Sequence, residues 1–517
     1  MRLRFRHQLT TRTTIGAVIL SAFLWTASGQ EERTQWNQFR GPNGQGAAPT
    51  ARVPVRFGPD TNLRWKTTIP PGHSSPVLWD QRLFLTATDS ADNGQLMTLA
   101  LDRQRGAILW RREVRAAGKV RFHTLNNPAS STPVTDDTQV YAYFGTYGLL
   151  CYNHAGDLVW QRKIETPRSK YGMATSPILF EDKLILVLDG DGGTSRLLAL
   201  RRETGQTVWD QPRSLFQAGW STPMIWRHDG TEELIVLGSK RLTSYDPATG
   251  DEIWWAGGFP PETVSVPVSG DGLLFASAAA LGGRGDDKCD ATATWQTTIR
   301  EFDRNQDNQI QRDEMTDGFA FIQRPELPKD NPGYGLPVRE MDTLLKIFDH
   351  DKNRVISEAE WMQTMAGFEA HSRPYLLALR PGATRDARPS HLAWEGRRGI
   401  SETPSLLCYR GKLYLLRDGG LLTCLDAATG TEHFRERIGA GGQYIASPIV
   451  AGDKLIAASV RGVVSVMQVG DELQVLSRND FGERIFATPA VAENTLYLRT
   501  VQHLYAVGRR ETAERGR

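Results

Sequence analysis

A small or β-branched residue followed by proline and then a short apolar run recurs eight times, and this repeat constrains the chain more than any other feature. The pairs are Ser75-Pro76, Thr132-Pro133, Ser176-Pro177, Thr222-Pro223, Val266-Pro267, Thr403-Pro404, Ser447-Pro448 and Thr488-Pro489. The prolines at 133, 177, 223 and 267 are spaced by 44, 46 and 44 residues, and those at 404 and 448 by 44. A fixed period of this length is the mark of a stacked repeat architecture, because one such unit cannot bury both of its faces alone.

A second motif runs in phase with the first. An acidic or polar residue is followed four positions on by Gly and four further on by an aromatic, as in Asp102/Gly106/Trp110, Asp246/Gly250/Trp254, Arg201/Gly205/Trp209 and Asp426/Gly430/Phe434. Asn153/Gly156/Trp160 is one residue shorter, and the copy from Arg380 to Trp394 is stretched. The Gly permits a tight turn between antiparallel strands, and the aromatic falls on the outer strand, where it can pack on a neighbouring repeat. Runs such as Gln139 to Tyr143 and Leu184 to Leu188 have the β-branched and aromatic content of strands. The unit is a four-stranded antiparallel blade, and blades of this kind close into a ring. The last repeat ends soon after Val507 with no outer strand, and Asn62-Leu63-Arg64-Trp65-Lys66 supplies one from the other end of the chain. The expected fold is an all-β, eight-bladed β-propeller.

The Ala-x-Asp-x-x-x-Gly-x-x-x-Trp pattern resembles the tryptophan-docking repeat of pyrroloquinoline-quinone-type propellers. The opening Trp36-Asn37-Gln38-Phe39-Arg40-Gly41-Pro42-Asn43-Gly44 is similar to that of exported bacterial members of the superfamily. The resemblance covers nearly all of the chain outside one insertion and is specific for fold.

That insertion is visible as a gap of 137 residues between the prolines at 267 and 404, one repeat plus about 93 residues. Trp295, Ile299 and Phe302 fall on one helical face. Two twelve-residue acidic loops follow, Asp303 to Glu314 and Asp349 to Glu360. An EF-hand loop offers calcium, a hard cation, side-chain oxygens from positions 1, 3 and 5, a backbone carbonyl from 7 and a bidentate Glu from 12. The first loop places Asp303, Asn305, Asp307, the Gln309 carbonyl and Glu314 there, with Gln311 at position 9. The second places Asp349, Asp351, Asn353, the Val355 carbonyl and Glu360, with Ser357 at position 9. Ile310 and Ile356 share position 8, where paired loops bridge. Position 6 departs from the pattern: Asn308 and Arg354 stand where Gly is usual, and a left-handed Arg costs about 1 kcal/mol or more. The second loop is expected to bind the more weakly.

Residues 1–29 read as a cleaved signal peptide, with Arg2, Arg4, Arg6 and Arg12, an apolar run from Ile15 to Trp25 and small residues at Ala27 to Gly29. The run is too short to span a bilayer as a helix, and no later segment is long and apolar enough to do so. Removing four arginines takes the formal charge from +2 to −2, which gives no electrostatic footprint for nucleic acid. The expected organisation is 1–29 leader, 30–281 first part of the propeller, 282–372 EF-hand pair, and 373–517 second part. Of the four cysteines, Cys151 and Cys424 occupy a repeated slot held elsewhere by Ala100, Ala199, Ser244 and Ala378, so a small buried side chain rather than a disulfide explains them. Cys289 and Cys408 are left unassigned.

Two functions compete. The quinoprotein resemblance implies a dehydrogenase that oxidises an alcohol or sugar, with a vicinal cysteine pair and a calcium held by the propeller beside a catalytic Asp. No two cysteines here are adjacent, and Asp189-Gly-Asp191 reads as a turn. No Ser/His/Asp, zinc or phosphate-loop pattern stands out, Gly282 to Gly285 included, and no catalytic residue is assigned. The expectation is therefore an exported, periplasmic or secreted, calcium-binding scaffold, with no quinone in the funnel. It resembles the propeller that helps to assemble outer-membrane barrels. A small ligand or an envelope protein partner would meet the segments before each inner strand: His73, His123, Asn126, Asn127, Lys170, Tyr171, Trp220, Glu402, Tyr444 and Arg484.

Overall fold

The computed structural model describes residues 35–89, 94–118, 122–123, 125–165, 167–280, 290–322, 325, 329, 334–338 and 340–509. The leader, Gly282 to Gly285 and Cys289 lie outside them. The described chain forms eight four-stranded antiparallel blades around one axis. Blade 1 runs from Val77 to Arg115, blade 2 from Val134 to Lys163, blade 3 from Ile178 to Pro212 and blade 4 from Met224 to Gly257. Blade 5 uses Val268–Gly270, Leu273–Ala278, Tyr375–Leu379 and Leu392–Gly396; blade 6 runs from Leu407 to Arg437 and blade 7 from Ile449 to Asp480. Blade 8 joins Ala490–Ala492, Thr495–Arg499 and His503–Val507 to the N-terminal strand Leu63–Thr68, which pairs antiparallel with the last of these. Chain end and chain start thus share one sheet, as the missing outer strand requires.

The outer-strand aromatics explain how blades adhere. Trp110 donates its Nε1 hydrogen to His154 O of the next blade at 3.0 Å, Trp160 to Arg202 O at 2.8 Å, Trp394 to Ala427 O at 3.0 Å, and Trp65 to Arg103 O at 2.9 Å across the ring closure. Each indole lies on the motif glycine of the blade it reaches. A Cβ at Gly106 would sit 2.5 Å from the Trp65 ring, one at Gly156 2.8 Å from Trp110, and one at Gly205 2.7 Å from Trp160. The glycine therefore serves twice, through its positive φ and through the absence of a side chain. Just before each aromatic the outer strand carries a β-bulge, which re-aims the ring. Directly across the ladder stands the small-residue slot: Ala100 faces Trp110, Cys151 faces Trp160, Ala199 faces Trp209 and Cys424 faces Phe434. Cys151, Cys408 and Cys424 are buried free thiols.

The anchor hydroxyls link the inner strands. Ser75 N–H donates to Thr132 Oγ1 at 2.9 Å, Thr132 N–H to Ser176 Oγ at 2.9 Å, and Ser176 N–H to Thr222 Oγ1 at 3.2 Å. The relay resumes from Val266 N–H to Ser405 Oγ at 3.0 Å, Ser405 N–H to Ser447 Oγ at 3.0 Å and Ser447 N–H to Thr488 Oγ1 at 3.0 Å. This corrects one anchor read from sequence. In blade 6 the slot belongs to Ser405-Leu406, not to Thr403-Pro404, because the inner strand starts at Leu407.

The Trp36–Ala48 segment crosses the axis. Leu78 N–H donates to Trp36 O at 2.8 Å, Thr135 N–H to Asn37 O at 2.9 Å, and Asn43 bonds both backbone groups of Ile225 at 2.7 and 3.1 Å. Arg40 Nη2 donates to Leu406 O at 2.8 Å, Gln45 accepts from Ser269 N–H at 3.1 Å, and Ala47 pairs with Val450. Blades 1, 2, 4, 5, 6 and 7 are tied to this plug.

The chain leaves the propeller after Ala278 and rejoins it at Tyr375, between the second and third strands of blade 5. Helices α1 (Ala291–Phe302), α2 (Met341–Phe348) and α3 (Glu358–Ser372) build their own core around Trp295, Phe321, Phe348 and Trp361. Among the described residues no helix is long and apolar enough to cross a membrane.

Candidate functional site

The inner strands begin at one rim, and the hydroxyl-bearing anchors Ser75, Thr132, Ser176, Thr222, Ser447 and Thr488 line a cavity there of about 420 Å³. Phe39 of the plug also lines it. Two unlike arcs make up the wall. One is aromatic and follows consecutive connections from blade 7 to blade 4. In it His73 stacks on Phe486 at 4.1 Å, His123 meets Tyr171 edge-on at 5.2 Å, and Tyr171 meets Trp220 at 5.3 Å. Trp220 is fixed by a hydrogen bond from Nε1 to Gly172 O at 2.6 Å, and Asn126 Nδ2 donates to Tyr171 O at 2.8 Å. The other arc is polar and comes from blades 5 to 7: Glu402, Arg417, Asp418 and Gln443.

Burial, helped by Arg499 and Arg484, lowers the His73 pKa to about 3, so this imidazole is neutral at ordinary pH. Its Nδ1 is buried without a hydrogen-bond partner. Desolvation raises the Asp418 pKa despite the hydrogen bond that its Oδ1 accepts from Tyr444 N–H at 2.7 Å.

Of the residues expected at the funnel, His73, His123, Asn126, Tyr171, Trp220 and Glu402 line the cavity. The other four do not. Asn127 caps Ala129 N–H at 2.8 Å, Tyr444 is buried with its hydroxyl on Ala440 O, Lys170 is paired with Glu262 at 2.6 Å, and Arg484 lies over Phe486 at 4.6 Å. Sequence reasoning missed Phe39, Arg417, Asp418, Gln443 and Phe486. Arg417 and Asp418 sit on the turn between the second and third strands of blade 6, which reaches the same rim as the pre-inner segments. Asp189 is no ligand: its carboxylate makes a bidentate pair with Arg213, at 2.8 and 3.0 Å, with both side chains 1% exposed.

In the insertion the two acidic loops lie side by side, joined antiparallel through Ile310↔Ile356 and Gln311↔Val355. Positions 4 and 6 of both are left-handed, with φ 62° at Gln306, 63° at Asn308, 62° at Lys352 and 70° at Arg354. In the second loop, oxygens of Asp349, Asp351 and Glu360 lie within 4.8 Å of one another. Asn353 folds onto the same turn, its N–H donating to Asp349 Oδ1 and its Oδ1 accepting from Val355 N–H at 2.8 Å. Burial tends to raise the Glu360 pKa, but hydrogen bonds from Ser357, Asp351 and His350 outweigh it and hold the carboxyl below the usual range. In the first loop Asp303 accepts from Asn308 N–H at 2.9 Å, Asp307 from Gln309 N–H at 2.9 Å, and Glu314 from Arg304 N–H at 2.7 Å. Asn305 donates to Asp307 and Gln311 at 3.1 and 3.2 Å. The donor set is oxygen throughout and fits a hard divalent cation. The first loop differs from the EF-hand expectation at one end: Glu314 is followed by turns and a ribbon, Ala320–Ile322 with Gly335–Pro337, where that pattern calls for an outgoing helix.

A family model described as outer membrane protein assembly factor BamB matches residues 58–192, 193–301 and 346–510. The chain belongs to this family. No curated protein sequence matches. Three solved structures are similar in fold. A europium-containing methanol dehydrogenase is 10% identical with a TM-score of 0.54, covering 92% of this chain and 98% of that one. The quinohemoprotein alcohol dehydrogenase from Comamonas testosteroni is 11% identical at 0.51, covering 92% and 80%. The computationally designed Ika8 protein is 9% identical at 0.51, covering 85% and 97%. At these identities the likeness is one of fold: an eight-bladed propeller of the quinoprotein-like type.

The fold raises the question of pyrroloquinoline quinone, a tricarboxylate. Among the described residues its lining does not fit it: the carboxylates of Glu402 and Asp418 stand with one guanidinium, that of Arg417, while His73 is held neutral. Among the described residues, the one group of three acidic or imidazole side chains close enough to share a metal is in the insertion.

Proposed function

We infer that this BamB-family propeller is an exported scaffold of the cell envelope that binds a ligand or partner in its funnel and carries calcium in its insertion. The observation that carries the reading is the cavity: Phe39 of the plug, an aromatic arc and a polar arc line one space of small-ligand size. Family membership supports an envelope role, and the leader-like start of the sequence supports export. Calcium rests on the paired oxygen-rich loops. The Asp303, Asn305, Asp307, Gln309 carbonyl and Glu314 set would hold one ion. The Asp349, Asp351, Asn353, Val355 carbonyl and Glu360 set would hold the other. Exported proteins meet abundant calcium, so the ions would order the insertion constitutively rather than signal.

The test uses protein beginning at residue 30, equilibrated with calcium and then offered pyrroloquinoline quinone and an alcohol or sugar with a redox dye. The reading expects about two calcium ions per chain, no quinone uptake and no dye reduction. Stoichiometric quinone uptake with turnover would make this a dehydrogenase and overturn the scaffold. Absence of calcium binding would remove the metal from the proposal.

A further inference from the structure

We propose that the funnel ligand is a neutral carbohydrate, bound with one pyranose face against the His123–Tyr171–Trp220 arc and its hydroxyls toward Glu402, Arg417, Asp418 and Gln443. This rests on the reading of the funnel as a ligand site and names the chemistry of that site.

The cavity is divided by chemistry, and the division follows the ring. Five successive blade connections give Phe486, His73, His123, Tyr171 and Trp220. The opposite sector gives two carboxylates, one guanidinium and one carboxamide, set among the apolar Val264, Pro404 and Ile445. Planar, multidentate groups of this kind suit vicinal hydroxyls, each of which both donates and accepts. An aromatic wall suits the apolar C–H face of the same ring.

The protonation states narrow the class. His73 is neutral, and its buried Nδ1 lacks a partner, so a hydroxyl, which both donates and accepts, satisfies it in either tautomer. Asp418 gives one oxygen to Tyr444 N–H, and desolvation raises its pKa, so a further donor from a ligand would be favourable there. A polyanion brings acceptors to a wall already rich in acceptors. A simple ammonium ion would find the acidic pair partly neutralised, since Arg417 acts on Asp418. A polyhydroxylated neutral ring satisfies both arcs. The volume of about 420 Å³ accommodates two or three sugar units.

The experiment is isothermal titration of the calcium-equilibrated chain with cellotriose, maltotriose and chitotriose, and in parallel with trilysine and with pyrroloquinoline quinone. At least one trisaccharide is expected to bind. Asp418→Asn, which keeps the shape and the Tyr444 contact but removes the charge, should weaken it about tenfold. Tyr171→Ala should weaken it by a similar factor through lost stacking. An unchanged melting temperature in Asp418→Asn separates this from misfolding. Equal binding by both variants would place the sugar elsewhere and overturn the proposal. Binding of trilysine or the quinone with all three sugars silent would also overturn it, while leaving the funnel a ligand site. Silence of every titrant would count against both the sugar and the funnel.

Discussion

Arg499 Nη1 donates to Ser74 Oγ at 2.7 Å, and this contact sits on the seam where the last blade meets the first. The same nitrogen reaches Ser74 O at 3.0 Å and Thr86 O at 2.8 Å, and Nη2 reaches Pro70 O at 3.2 Å. A guanidinium of blade 8 therefore gathers a carbonyl of blade 1 and two of the connection that leads into it. Arg499→Met keeps the bulk but abandons those acceptors in a buried place. It should lower unfolding free energy by about 3 kcal/mol in urea denaturation. A loss under 1 kcal/mol would show that the Leu63–Thr68 strand alone closes the ring.

Gly41 has φ 71°, and a Cβ there would stand 2.6 Å from the Trp36 ring. Gly41→Ala should lower stability by more than the roughly 1 kcal/mol of backbone strain, because the plug must move off its indole. Gly192, with φ 87° and no atom within 4 Å of a built Cβ, is the control. Similar melting temperatures for the two alanine variants would mean that the plug yields easily.

His73 gives the fold an acid dependence. Its pKa is about 3 in the folded protein against 6.5 ordinarily, so between these values the unfolded chain binds the extra proton. The associated stability is complete above pH 6.5 and lost as pH falls toward 3, at up to about 1.4 kcal/mol per pH unit. His73→Phe keeps a ring against Phe486 and removes the titration. Calorimetry from pH 7 down to pH 4.5 should show the parent falling more steeply than the variant. Parallel curves would refute the shift.

Arg354 occupies the left-handed position 6 of the second acidic loop, with φ 70°. Arg354→Gly should relieve about 1 kcal/mol and tighten calcium at that loop about fivefold in a two-site titration. Asn308→Gly in the first loop, where Asn tolerates φ 63°, should change affinity less. Loss of calcium affinity in Arg354→Gly would show that the strain does not bear on binding.

Cys408 and Cys424 are buried, and burial pushes their thiol pKa values up to about 12 and about 11. Both should resist iodoacetamide at pH 8 until the protein is unfolded, and dithiothreitol should leave the melting temperature unchanged. Rapid alkylation of the native chain at either thiol would mean that their blades open.

Much of the ring was legible because its determinants are local and repeated. The Gly-to-aromatic motif sets a turn, a bulge and a docking ring within a dozen residues, and the small slot opposite the aromatic places Cys151 and Cys424 without a disulfide. The blade 6 anchor was misread because Thr403-Pro404 imitates the pattern, whereas the hydroxyl that meets the neighbouring blades belongs to Ser405. The two acidic loops were legible as paired oxygen-rich turns for the same reason: their residues are consecutive, and Ile310 and Ile356 do pair.

By itself the sequence determined the blade unit, the number of repeats, the N-terminal strand of the last blade and the oxygen-rich character of the insertion. Each is a matter of spacing along the chain. Only the tertiary structure decided that Phe39 lines the funnel cavity, that Arg417 and Asp418 share it with His73 and Trp220, and that Asp189 belongs to Arg213. Those relationships join residues hundreds of positions apart. Ring closure brings them together, and no local periodicity carries a distance across the axis.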